Sequence, residues 1–357
     1  MSITSKIILE YIWIDNDGKL RSKKRVLYNS AITEYIYIPD WNYDGSSTGQ
    51  ANIELGNTEI VLKPCKHYKN PLFTNTQSDI KSFLVLCDTW TIDGIPISTN
   101  TRYPAVQLFN VNLDIDLPWF GLEQEYFMVC SDWPVLENNG SYYCSTANAP
   151  ALVNTNVLAA GNNTIHFAQI QRQIVDEHLL ACIDANLTIS GINQEVAPYQ
   201  WEFQIGPSLG IDAGDELYVA RFLLERIAEK YGVSICYNPK MNPLLSGSGG
   251  HTNFSTKQSR SDGGIDYIFD CMQKLEKTHT DHMKVYGKDN EYRLTGLNET
   301  AHYSQFSYGI GTRNTSVRIP NDTVQNRCGY FEDRRPAANM DPYVVSSTIY
   351  KTCCLDS

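Results

Sequence analysis

Four glutamates in two short stretches carry the first chemical signal of this chain. Over residues 199–205 apolar and polar residues alternate, so Trp201, Phe203 and Ile205 share one face of a strand and Glu202 and Gln204 the other. Glu202 has no basic neighbour in sequence. A carboxylate in so apolar a strand must reach water, a cation brought from elsewhere or a metal, because a buried unpaired charge is too costly to keep. Glu195 precedes it across a bend at Pro198. Over residues 118–126, Glu123 and Glu125 stand two apart and therefore on one face of a second strand. Either stretch alone reads equally well as an antiparallel strand with a solvated polar side. Together they ask for one cation. A hard ion such as Mg²⁺ or Mn²⁺ takes oxygen ligands, and a paired-metal site needs several carboxylates converging on one point.

Other residues fit the same chemistry. His251 follows the glycine-rich run 245–250. A lone histidine is more often structural than a ligand, but glycines let other groups approach the backbone, and these carboxylates are short of cations. Six of the thirteen arginines fall between Arg293 and Arg335. Such a cluster is either a solvated face or a set of bidentate donors for phosphate or carboxylate. Residues 40–49 read as a loop in which Asp44 caps an Asx-type turn, although Trp41 and Tyr43 ask for something to pack against.

Elements able to position these groups follow from the pattern. The chain has 357 residues, 42% hydrophobic and 19% charged, which is enough for a large core and two domains. A net charge of −11 argues against a general nucleic-acid or anionic-membrane binder. No apolar run approaches a membrane span, and the first residues lack a signal-peptide core, so a cytoplasmic location is the expectation. Ten scattered cysteines read as reduced thiols. A hairpin is expected over 7–14 and 20–27 through Asn16-Asp17-Gly18, with strands at 33–38, 59–63 and 82–90. The remainder mixes helices and strands. Helices are expected over 168–185, over 213–231 with Asp212 as cap and Gly232 as stop, from just after Gly263-Gly264 to about His279, and over 342–355 behind Asp341 and Pro342. Strands are expected at 187–190 and 313–318. Residues 286–303 read as a long loop suited to a lid.

The strings PDWNYDGSST, PWFGLEQEY, QEVAPYQWEFQIGP, GGHTNFST, RLTG, RNTSVRIP and GYFEDRRP, in this order, resemble the eukaryotic-type (type II) glutamine synthetases from about residue 35 to 350. That resemblance implies an α+β fold: a small N-terminal β-grasp domain over 1–108, then a large α/β catalytic domain over 109–357 whose antiparallel sheet forms the active-site funnel. It implies ligation of ammonia to L-glutamate with ATP as co-substrate, through γ-glutamyl phosphate, with two or three Mg²⁺ or Mn²⁺ ions per site. By matching motif positions, Glu125, Glu195 and Glu202 resemble the ligands of one ion, and Glu123, His251 and Glu332 those of the second. Trp119, Asn253, Ser255, Arg318 and Tyr330 would line the ATP site. Arg293, Arg313, Arg334, Ser246 and Gly247 would hold glutamate and the transferring phosphate. Asp44 would bind ammonium and take its proton, and Glu299 would close over the site. The implied assembly is a ring homo-oligomer, a decamer of two stacked pentamers, with sites between subunits.

Three departures from the family pattern stand out. Leu245-Ser246-Gly247 replaces Trp-Asn-Gly, Asn298 replaces a histidine, and residues 145–168 are longer and unlike the usual connection. These departures leave open a ligase that joins glutamate to a larger amine, and a catalytically silent relative.

Overall fold

A computed structural model describes residues 5–29, 37–73, 80–129, 135–136, 142–143, 167–243 and 245–356. The chain packs as two compact units, one of residues 1–108 with 181–187 and one of residues 109–180 with 188–357.

The first unit is a five-stranded sheet in the order β2-β1-β5-β4-β3. Its strands are β1 (Ser5–Ile14), β2 (Leu20–Asn29), β3 (Trp41–Asp44), β4 (Glu59–Lys69) and β5 (Ile80–Thr91). β1 pairs parallel with β5, and the other neighbours are antiparallel. Alternation in β1 sends Ile7, Leu9, Tyr11 and Trp13 into a core with Leu62, Val85 and Cys87. At the hairpin, the Asp15 carboxylate accepts from the Asp17 and Lys19 amides, and Gly18 takes φ +78°. Residues 41–44 are a strand rather than part of a loop. Their aromatics have their packing within this unit: Trp41 stands edge-on to Tyr11 at 5.3 Å and Tyr43 lies 4.6 Å from Trp13. The expected strand at 33–38 falls mostly outside the described residues, and Tyr37 and Ile38 are in no strand.

In the second unit the main sheet runs β13-β14-β15-β12-β6-β10-β9, with β11 added beside β6. These strands are β6 (Trp119–Val129), β9 (Ile189–Gln194), β10 (Gln200–Leu209), β11 (Ser234–Cys236), β12 (Gly250–Ser255), β13 (Tyr308–Ile310), β14 (Val317–Ile319) and β15 (Phe331–Asp333). Two-residue strands β7 (Val135–Leu136) and β8 (Tyr142–Tyr143) pair with each other. All pairings of the main sheet are antiparallel except β13 with β14. Register sets the chemistry. Glu125 lies opposite Glu202, Glu123 opposite both Gln204 and His251, and Glu332 opposite Asn253 and Arg318.

The helices are α1 (Arg102–Phe109), α2 (Leu113–Asp116), α3 (Phe167–Asp184), α4 (Asp212–Lys230), α5 (Lys257–Arg260), α6 (Ile265–Lys277), α7 (His279–Met283), α8 (Asn321–Asn326) and α9 (Pro342–Tyr350). In α4 the expected inward stripe of Leu217, Ala220, Leu224 and Ile227 is fully buried. Asp212 lies inside its first turn and Ile211 takes the cap position without a side-chain bond, so the cap expected at Asp212 is absent. Gly232, at φ +67°, ends the segment as expected. α4 also supports β6 from below. Arg221 donates from Nε to Gln124 Oε1 at 2.8 Å, and Gln124 donates to Ala338 O, which fixes the strand between Glu123 and Glu125. Asp341 caps α9 through the Tyr343 and Val344 amides, with Pro342 in the first turn. That helix passes into a π turn over Lys351–Leu355 instead of continuing as α-helix. The eight described cysteines carry free thiols. Among the described residues no helix is long and apolar enough to cross a membrane.

His178 joins α3 to α4 and reports on this packing. Its Nε2 donates to Ala220 O at 3.0 Å, its ring meets Phe203 edge-on, and burial lowers its pKa to about 4. The folded state thus binds a proton less readily than the unfolded chain, whose histidine titrates near 6.5. Stability is complete above the unfolded value and falls as pH drops from there towards 4, by about 3 kcal/mol from this group. Urea unfolding at pH 7 and pH 4.5 should show a smaller acid loss in His178→Gln than in the parent chain. Identical losses would remove His178 as the source.

Candidate active site

One cavity of about 530 Å³ gathers most of the residues singled out in sequence. Its floor is the face of β6, β10 and β12 that carries Glu123, Glu125, Glu202 and His251. Glu195 comes from the turn before β10, where its amide bonds Gln200 O, and Glu332 comes from β15. Oxygen or nitrogen atoms of Glu123, Glu202 and His251 lie within 4.8 Å of one another. His251 Nδ1 faces Glu123 Oε2 at 3.3 Å and Glu332 Oε1 at 3.5 Å, and its Nε2 lies 3.8 Å from Glu125 Oε1. The structure thus draws together groups from both implied ligand sets.

Burial governs the protonation of this cluster. It raises Glu125 to about 7 against the pull of Arg293 and the Gly249 amide, and raises Glu202 to about 8 with help from the Glu123 charge. Glu123 is pushed up for the same reason, and His251 is pushed well below its usual range, first by burial and then by Arg334. A neutral imidazole is the ligating form. Crowded carboxylates that resist ionisation, beside a neutral histidine, suit a divalent cation, whose charge removes the penalty.

Arginines close the opposite wall. Arg334 Nη1 reaches Glu332 Oε1 at 2.6 Å, and Arg318 Nη1 reaches Glu332 Oε2 at 3.3 Å. Arg293 is buried. Its Nη2 donates to His251 Nε2 and Arg334 O, and its Nη1 to Asn290 Oδ1 and Arg335 O, so its charge faces the cavity while these nitrogens serve the protein. Arg313, largely exposed, pairs with Glu299 at 3.1 Å. Residues 286–303 hold more structure than an open loop. Asn290–Tyr292 form a 3₁₀ turn, Thr295 and His302 form a bridge, and Tyr286 is buried. The tip projects, with Asn298 at φ +51° and Glu299 at +62°, a conformation that side chains disfavour.

Ser246 and Gly247 line the same cavity. At Gly247 an added Cβ would come within 2.6 Å of both Arg293 Cγ and Pro239 O, so only glycine fits. Residues 145–166 lie outside the described ones, and with them most of the unusual connection over 145–168.

A second cavity of about 340 Å³ adjoins the first and shares Glu123 and Gln204 with it. Trp119, Asn253, Ser255 and Tyr330 line it, whereas Arg318 lines the first. Trp119 and Tyr330 leave much of their rings exposed, and Asn253 Nδ2 donates to Glu123 Oε1 at 2.8 Å. Sequence reasoning missed Arg260 here. Its guanidinium lies 3.8 Å from the Trp119 ring centre and donates to Ser255 Oγ. Four residues of helix around it gave no periodic signal. It missed Gln200 as well, although the alternation of β10 places Gln200 on the face of Glu202.

Asp44 belongs to the first unit. It ends β3 exposed, and its Oδ1 accepts from the amide and hydroxyl of Ser46, forming the expected Asx-type cap. Those bonds hold its pKa below the usual value, so it stays ionised.

Comparison with known proteins agrees with this geometry. A family model for the glutamine synthetase catalytic domain matches residues 111–264. A glutamine synthetase homologue of Acanthamoeba polyphaga mimivirus is 49% identical over 97% of this chain and 94% of its own length. The nodule isozyme of glutamine synthetase from Lupinus luteus is 45% identical over 99% and 96%. The cytosolic isozyme 1-1 of Oryza sativa subsp. japonica is 45% identical over 98% and 94%. A cryo-EM structure of Plasmodium falciparum glutamine synthetase shares the fold, with a TM-score of 0.71 at 16% identity over 97% of this chain and 71% of that one. The chain belongs to the glutamine synthetase family.

Proposed function

We propose that this protein ligates ammonia to L-glutamate in the cytoplasm, using ATP and passing through γ-glutamyl phosphate, with release of ADP and phosphate. The observation that carries the reading is the shared wall at Glu123. On one side lies a cavity edged by two exposed aromatic rings, on the other a cavity of carboxylates and arginines. A nucleotide base set between Trp119 and Tyr330, near Asn253, Ser255 and Arg260, would direct its phosphates past Glu123 towards Arg318, Arg313 and Arg334.

In this reading Glu123, Glu125, Glu195, Glu202, His251 and Glu332 hold Mg²⁺ or Mn²⁺, which when bound neutralises charge on the transferring phosphate. Arg313 and Arg334 stabilise that phosphate from the opposite wall. Ser246, Gly247 and the charge of Arg293 place glutamate so that its γ-carboxylate oxygen attacks the terminal phosphorus and ADP leaves. Ammonium cannot attack, so Asp44 takes its proton, and the ammonia nitrogen then attacks the acyl carbon as phosphate departs. Glu299, latched to Arg313, keeps water from the acyl phosphate. Residues 1–108 and 109–357 act as β-grasp and catalytic domains, and Asp44 serves the catalytic domain of a neighbouring subunit in a ring of two stacked pentamers.

The deciding measurement is phosphate release dependent on glutamate and divalent cation, first with ammonium and then with a panel of larger amines. Ammonium should be the preferred amine. A larger amine turning over faster would replace this reading, and no glutamate-dependent release with any amine would leave a silent relative. Mg²⁺ or Mn²⁺ should raise the melting temperature, and Glu202→Ala should remove most of that rise.

Ser246 offers a second test. An amide there would add a hydrogen bond to charged glutamate, a difference of about 1–3 kcal/mol. Ser246→Asn should therefore lower the glutamate KM about tenfold. An unchanged or higher KM would show that this loop binds glutamate by other means. Assembly gives a third. Asp44→Ala and Glu202→Ala should each be nearly inactive, yet regain part of the activity when co-assembled, since some interfaces then pair an intact first unit with an intact second. Failure in rings shown to be mixed would falsify the shared site.

A further inference from the structure

Gln200 makes contacts that the reaction just described does not use. It opens β10 with its side chain almost wholly buried, on the strand face of Glu202 and Gln204. Its single Nε2 lies 3.1 Å from Glu125 Oε2, 3.0 Å from Gly247 O and 3.0 Å from Ser248 Oγ. Its Oε1 is buried without a partner among the described residues. An amide leaves a buried acceptor unpaired only if the donor side repays the loss. Turning it over would set oxygen against both a carboxylate and a carbonyl, so its orientation is fixed. Its backbone contributes as well: Glu195 N donates to Gln200 O, and Gln200 N donates to Ala197 O, which closes the turn that carries Glu195.

The other bonds at this point give the amide a direction of action. Glu125 Oε2 accepts from Gly249 N at 2.9 Å as well as from Gln200, while Oε1 faces His251. Two N–H donors therefore occupy one oxygen and leave the other towards the carboxylate cluster. Gly247 and Ser248 belong to the loop that lines the glutamate end of the cavity. We propose that Gln200 is a positioning residue that locks the substrate loop at Gly247–Ser248 to the metal-ligand carboxylate of Glu125, so that cation binding and glutamate binding depend on one amide. The inference rests on the function proposed above.

Gln200→Met keeps length and apolar volume and removes the donor. Mn²⁺ binding to the protein without ATP or glutamate, read by electron paramagnetic resonance of the free ion, should weaken about tenfold. The glutamate KM should rise by a similar factor, while the ATP KM stays within about twofold. A lower melting temperature with both Mn²⁺ affinity and glutamate KM unchanged would reduce Gln200 to a structural role and overturn the proposal. Should Gln200→Met fail to fold, Ser248→Ala decides, because it removes one of the loop's two acceptors while leaving Glu125 held. It should raise the glutamate KM about threefold with Mn²⁺ affinity unchanged. An unchanged KM overturns the link. Parent protein that binds Mn²⁺ but shows no glutamate-dependent ATP hydrolysis would sink the functional reading and this inference with it. An active parent with an unaffected variant sinks the inference alone.

Discussion

Repulsion between carboxylates on one sheet face is the constraint that the second unit is built to withstand. The antiparallel register of β6 and β10 puts Glu125 directly across from Glu202, and like charges so placed destabilise a sheet. Neither residue could be kept in a strand whose other face is core unless something outside the pair repaid the repulsion. The paired strands cannot slip to relieve it. A one-residue shift would turn Trp201, Phe203 and Ile205, all buried, into the cavity. Arg221 and Gln124 pin β6 on the reverse face. The sheet therefore holds the acids at fixed spacing, and the burial that raises Glu125 and Glu202 stores a preference for a cation.

A different device supports the arginine wall. From Phe331 to Arg335 successive side chains serve opposite sides of the chain. Glu332 and Arg334 line the cavity, while Asp333 and Arg335 are buried beneath it. Arg335 Nη2 meets both Asp333 Oδ2 at 2.7 Å and His282 Nδ1 at 3.2 Å, and its Nη1 reaches His279 Nδ1 at 3.2 Å. Asp333 is held below its usual pKa despite burial, because that guanidinium and its hydrogen bonds outweigh desolvation. Both histidines are lowered, mainly by burial and then by Arg335, so they stay neutral acceptors. Removing either partner would strand a charge in the interior, which costs far more than the pair itself contributes. The cost fixes the geometry of Glu332 and Arg334 one residue away on each side.

Period-two patterning made the acidic strands legible, because one face had to be core and the other could not be. The Asp341 cap was readable for a similar reason: a side-chain oxygen, a proline and an apolar run coincide within a few residues. Asp212 misled, since a good capping residue sits one position inside a helix whose start is set by the packing of Ala213, Leu217 and Ala220. Trp41 and Tyr43 misled differently. Read as loop aromatics, they lie in a short strand whose partner, Leu62 to Glu59 on β4, is distant in sequence. Arg260 could not have been found. Its role comes from stacking on Trp119, far away in the chain, and nothing local marks it.

The donors chosen for the acids follow a pattern that explains how the site stays receptive. Glu123 accepts from the Asn253 amide, Glu125 from Gln200, Glu195 from Asn193 and Glu202 from Gln204. Each is a neutral N–H. A neutral amide satisfies a lone pair and fixes the orientation of the carboxylate without cancelling its charge, whereas an arginine would do both. Of these five acids, as the described residues show them, Glu332 is the one paired with guanidinium groups, those of Arg318 and Arg334, and it stands where the acidic floor meets the arginine wall. In the proposed function, a cation would meet oriented carboxyl groups on the floor that accept from neutral amides. A phosphate would meet Arg318 and Arg334, which Glu332 holds at the edge of the cavity. On that reading, the division between amides and guanidiniums would sort the two charges to their places before either arrives.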